Sequence, residues 1–129
     1  MPILEHTMYP DRLLDHFQNP RNVGELAPPA VVVEVSNPAC GDILRLSVRW
    51  EAGRIAEACY KVRGCTASIA AGSALTEWMG GKSRPEMSAL KPAILDDALG
   101  GLAAESKHAA VLCCDAVKAL LKATVVEEP

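Results

Sequence analysis

Large rings are scarce in this chain: its 129 residues include one Phe, two Trp and two Tyr. A core made without them must rest on many small contacts, and the material is present, because 50% of the residues are apolar, mostly Ala, Val and Leu. No stretch approaches the roughly 18 consecutive apolar residues of a spanning helix, so no membrane role is expected. Basic charge is not in excess either. Thirteen Lys and Arg against 16 Asp and Glu give a net charge of -3 with the signs interspersed, which excludes the basic stripe that nucleic-acid binding requires. The first residues, with Glu5, His6 and Asp11, lack the charged-then-apolar layout of a signal peptide, so a cytoplasmic protein is expected. Five cysteines are an odd number, and in a reducing compartment they read as ligands, nucleophiles or core residues rather than disulfides. The length suits one domain spanning 1–129.

What is there falls into clear elements. Leu13, Leu14 and Phe17 recur at helical spacing between Tyr9 and Gln18, and Asn19-Pro20 stops them. Val31 to Val35 is β-branched, Ile43 to Trp50 alternates, and Ala52-Gly53 turns the chain into a third strand over Ile55 to Val62. Strands joined by short turns predict an antiparallel sheet, since parallel ones need long crossovers. Thr66 to Met79 reads as a helix stopped by Gly80-Gly81. Ser83-Arg84-Pro85-Glu86 has capping-box spacing for a short helix, another is expected from Lys91 to Leu99, and the last from Ser106 to Thr124. On that last helix Ala109, Cys113, Ala116 and Leu120 share one face. Residues 125–129 are expected to fray.

Three places carry chemistry. Cys40-Gly41-Asp42 lies in the loop between the first two strands, where a tight glycine turn lets a thiolate and a carboxylate aim at one spot. Cys65 lies just after a strand and just before a helix, whose positive end favours a thiolate. His108 falls in the first turn of the last helix and supplies an imidazole that completes a tetrahedral S, O, S, N set. Thiolates bind iron as well as zinc, so ligand type does not choose between them. Spacing alone leaves the bland reading open, with the thiols as small core residues and the histidine as a surface group. Cys59 and Cys114 read as structural, Cys113 as a core-face residue, and His6 and His16 as solvated or hydrogen-bonded.

The run Asp15-His16-Phe17-Gln18-Asn19-Pro20-Arg21-Asn22-Val23-Gly24 resembles the N-terminal signature of the NifU/IscU/SufU scaffolds. The likeness continues through Asn37-Pro38-Ala39-Cys40-Gly41-Asp42, Gly64-Cys65-Thr66-Ala67-Ser68, Thr76-Glu77-Trp78-Met79-Gly80-Gly81-Lys82 and Asp115-Ala116-Val117-Lys118-Ala119. It implies an α+β fold, a three-stranded antiparallel sheet covered by four to five helices. It also implies a carrier rather than an enzyme. A cysteine desulfurase hands sulfur to a scaffold thiol, iron joins it in a transient [2Fe-2S] cluster, and the cluster passes to apo iron–sulfur proteins. Cys40, Asp42 and Cys65 match family site residues, with Cys40 and Cys65 as sulfur acceptors, and His108 matches the histidine before the family's third cysteine. A homo-oligomer is compatible with this reading.

Two positions depart from the family pattern. Ala109 stands where the third cysteine is usual, and Cys113 lies four residues on, about 5 Å further along the helix axis. This motivates an alternative, a zinc-binding sulfur acceptor or regulator of a desulfurase that builds no cluster. Leu102-Ala103-Ala104-Glu105-Ser106-Lys107 lacks the prolines of the chaperone-recognition motif of the IscU branch, and the interval from Gly81 to His108 lacks the insertion of the SufU branch.

Overall fold

A computed structural model describes residues 9–38 and 41–123. His6, Cys40 and the tail from 124 onward lie outside the described residues. Helix α1 (Asp11–Gln18) begins after Pro10 rather than at Tyr9, because Pro10 occupies the N-cap and its carbonyl accepts from Leu14 N–H at 3.0 Å. Strands β1 (Val31–Ser36), β2 (Ile43–Glu51) and β3 (Arg54–Arg63) follow. They form one antiparallel sheet in the order β1-β2-β3. Helices α2 (Thr66–Met79), α3 (Arg84–Met87), α4 (Pro92–Ala98) and α5 (His108–Ala123) come next among the described residues, with a 3-10 turn at Ala104–Ser106. That turn takes up Ser106, so the last helix starts two residues later than its periodicity suggests. Among the described residues no helix is long and apolar enough to cross a membrane.

The α+β fold with its antiparallel sheet is as expected, and the register explains the core. Val31↔Val48↔Ala58, Val33↔Leu46↔Tyr60 and Val35↔Leu44↔Val62 stack across the three strands and share one face, since alternate residues point the same way. Helix α2 packs on β3 and α5 on β1 and β2, sealing that face. The opposite face carries Glu34↔Arg45↔Lys61. Each fully buried Leu of this layer contributes about 1.5–3 kcal/mol, and Leu44, Leu46, Leu75, Leu112 and Leu120 are all at or below 2% exposure. Ser83 and Glu86 form the reciprocal capping box that starts α3.

Helix α2 is apolar nearly all round, with ten of its fourteen residues buried, as befits a helix pressed between the sheet and its neighbours. It meets the sheet closely at Gly72, where a Cβ would overlap the Tyr60 ring. The ring stands against the glycine, and the Tyr60 hydroxyl donates to the Ile69 carbonyl at 2.8 Å.

Candidate metal centre

The sheet register builds the centre. Ile43 pairs with Arg63 at the end of the β2–β3 ladder, so in antiparallel strands the residue before the first, Asp42, lies beside the residue after the second, Gly64. One step further is Cys65, the N-cap of α2. The loop leading to Asp42 is closed by two backbone bonds, Asn37 N–H to the Asp42 carbonyl at 2.9 Å and Gly41 N–H to the Asn37 carbonyl at 2.7 Å. Gly41 takes φ +78° there, a conformation that suits glycine. His108 arrives from a third direction as the first residue of α5. The approach to it is pinned by Asp96, whose carboxylate accepts from Leu102 N–H and, at 3.4 Å, from Lys107 Nζ.

Three of the four residues expected at the site therefore meet. Cys65 Sγ lies 3.2 Å from Asp42 Oδ2 and 3.5 Å from His108 Nε2, and His108 Nε2 lies 3.5 Å from the same oxygen. A metal with tetrahedral bonds of about 2.0–2.3 Å holds its donors about 3.3–3.8 Å apart along the tetrahedron's edges. The observed spacings match such a face, so sulfur, oxygen and nitrogen together are a chemically apt donor set for zinc or for thiolate-bound iron. Cys40, the fourth expected donor, lies outside the described residues.

Asp42 is 5% exposed while Cys65 is open to solvent, so the carboxylate forms the floor and the thiol the rim. Burial pushes the Asp42 carboxyl up. Hydrogen bonds from Ser68 and from the Cys65 thiol and N–H, with the nearby His108 charge, outweigh it and hold the group below the usual carboxylate value. Ser68 is a site residue that periodicity conceals, because it reads as an ordinary position inside an Ala-rich helix. It is 2% exposed, and its hydroxyl donates to Asp42 Oδ2 at 2.5 Å.

The other cysteines stay apart. Cys113 is 1% exposed in the core and burial drives its thiol far above the ordinary range, with Cys114 adding to the effect; a thiol held protonated there is a packing group. Cys114 is buried as well, and Cys59 is half-buried on the sheet. Ala109, one residue past His108, is fully buried. His16 is hydrogen-bonded, as expected of it: Nδ1 meets the Ser73 hydroxyl at 2.8 Å.

The fold and the site define a small α+β protein that presents a sulfur, oxygen and nitrogen triad at one end of its sheet. The chain belongs to the NifU-like N terminal domain family, which matches residues 8–125. It is 38% identical over 111 residues to "Iron-sulfur cluster assembly scaffold protein IscU 1" of Archaeoglobus fulgidus, covering 86% of this chain and 72% of that one. It is 39% identical over 118 residues to "Iron-sulfur cluster assembly scaffold protein IscU" of Azotobacter vinelandii, covering 88% and 91%. Among solved structures, the N-terminal NifU-like protein of Brucella abortus superposes with a TM-score of 0.76 at 20% identity, over 94% of this chain and 96% of that one, a likeness of fold.

Proposed function

We propose that this chain is a scaffold for iron–sulfur cluster assembly, a carrier that receives sulfur and iron and gives up the finished cluster. The observation that carries the reading is the meeting of Cys65, Asp42 and His108 around one carboxylate oxygen at metal-ligand spacing. Its relatives' shared name and the family membership support it. The ligands are Cys40, Asp42, Cys65 and His108, and the cargo is a transient [2Fe-2S] cluster.

Cys65, exposed at the rim, is suited to accept sulfur from a cysteine desulfurase, with Cys40 as the second acceptor. Its thiolate attacks the terminal sulfur of the donor's persulfide; a new S–S bond forms on the scaffold, the donor's S–S bond breaks, and the donor leaves as thiolate. Asp42 gives the cluster one oxygen ligand, weaker toward iron than a thiolate, which favours hand-over to apo iron–sulfur proteins. The setting is cytoplasmic. Anaerobic incubation with a desulfurase, cysteine, ferrous iron and a dithiol reductant, which with the iron supplies the electrons that take persulfide sulfur to sulfide, is expected to produce the visible absorbance of a cluster on this chain. No absorbance at stoichiometric iron and sulfide overturns the reading. The alternative motivated by Ala109, a zinc-holding sulfur acceptor that modulates the desulfurase, gives that negative result together with tightly retained zinc.

A further inference from the structure

Asp42 is held from two sides by residues that are not themselves donors. On one side is the Ser68 hydroxyl, whose bond to Oδ2 spans 26 positions of sequence and lies in the interior. Ser68 is the third residue of α2, and side chains on a helix lean toward its N-terminus, which is how a residue inside the helix reaches the carboxylate ahead of it. On the other side is Gly64. A Cβ at that position would stand 2.5 Å from Asp42 Cγ and 2.6 and 2.9 Å from its two oxygens. The φ of Gly64 is outside the left-handed region, so the glycine is not required by backbone conformation. It is required by space.

We infer that Gly64 and Ser68 form an anchor for the Asp42 carboxylate, and that this anchor, rather than the loop bearing Asp42, sets where the oxygen donor stands relative to Cys65 and His108. Both are positioning residues and neither binds the cargo. A carboxylate oxygen has two lone-pair directions; Ser68 takes the shortest bond to Oδ2 at 2.5 Å, while the Cys65 sulfur at 3.2 Å, the His108 imidazole at 3.5 Å and the Cys65 N–H at 3.5 Å approach the same oxygen. The gap at Gly64 lets the carboxylate sit against the backbone of the β3–α2 junction, the same junction that carries Cys65. Two donors, one just ahead of β2 and one at the cap of α2, are thereby fixed to one point of the backbone. The inference rests on the proposed ligand set, and its test separates the two.

The probe is zinc ion alone, titrated anaerobically into the reduced full chain in competition with a chromophoric chelator, with cobalt(II) spectra reporting the coordination geometry. Ser68→Ala is expected to weaken zinc binding about 10- to 100-fold, the usual effect of removing a group that orients a ligand, and to change the cobalt spectrum from the wild-type form. Gly64→Ala, at an exposed position, is expected to do the same by crowding the carboxylate, and reads the anchor even where Ser68→Ala folds poorly. In an Asp42→Ala background, both substitutions are expected to alter affinity by less than about twofold, because the group they act on is gone. Equal losses with and without Asp42, or wild-type affinity and spectra in Gly64→Ala, overturn the anchor. Cys65→Ala and His108→Ala are measured alongside. Wild-type zinc binding in those two overturns the ligand set itself, whereas loss in them with none in Ser68→Ala and Gly64→Ala overturns the anchor alone.

Discussion

Helix α2 carries two buried serines, and each grips a titratable group from elsewhere in the chain. Ser68 binds Asp42 at 2.5 Å and Ser73 binds His16 at 2.8 Å. The surroundings differ. Around His16 the polar groups satisfy one another: Arg21 N–H also donates to Ser73 at 2.9 Å, and the Arg21 guanidinium pairs with Asp15 at 2.7 Å and Glu77 at 3.5 Å. That network fastens α1 and the Asn19-Pro20-Arg21 turn onto α2. Around Asp42, a sulfur, an imidazole and a hydroxyl all address one oxygen, and the thiol and imidazole open toward solvent. A histidine in a closed network holds the fold together, while one that shares an oxygen with a rim thiol is available for a ligand.

The comparison breaks most readily at Cys65. Replacing it by Ala is expected to abolish stoichiometric zinc binding while moving the melting temperature by less than about 4 °C, the equivalent of about 1 kcal/mol in a domain of this size; retained zinc makes the two clusters equivalent after all. His16→Ala should do the reverse. Losing its buried hydrogen bonds is expected to lower unfolding free energy by about 2 kcal/mol in denaturant titration, with zinc affinity unaltered, and a tenfold loss of zinc would join the two regions into one unit. Cys113→Ala is expected to reduce stability by about 1 kcal/mol through a small cavity and to leave the zinc stoichiometry as it is; one missing equivalent would move Cys113 into the centre.

The gentlest test is pH. Burial first, then the Arg21 charge, holds the His16 imidazole below its ordinary value of 6.5, so the folded chain takes up that proton only at a lower pH. The unfolded chain takes up that proton at about 6.5. Between that value and the lower folded one the unfolded state binds more protons, so the His16 contribution is complete above 6.5 and declines as the pH falls through the interval, by no more than about 1.4 kcal/mol per pH unit. His16→Asn is expected to flatten this part of the stability profile, and identical profiles for the two proteins would place the proton elsewhere.

Much of this is legible in the amino-acid sequence alone. Helix α2 could be bounded at Thr66 and Met79 because a strand ends ahead of it and two glycines follow it, and the box at Ser83 and Glu86 is a local signal. The start of α5 was not, because Ser106 fits the helical period and only the 3-10 geometry removes it. Asp42, Cys65 and His108 could be named from their loop and cap positions together with a family likeness. Ser68 and Gly64 could not be given roles, because their partner is a carboxylate more than twenty positions away. Nothing in a helical Ser or a pre-cysteine Gly announces that a particular register will place an aspartate beside it.

The close contact of Tyr60 with Gly72 has a bearing on how such a protein can change over generations. Gly72 lies seven positions after Cys65, about 10 Å along the helix, so any bulk added there tips the whole cysteine-bearing rod away from the strands. Bulk at 72 and ring size at 60 are thus one inherited quantity divided between two sites, and a lineage that enlarges the first must shrink the second in step or lose the alignment of its sulfur with the neighbouring strand.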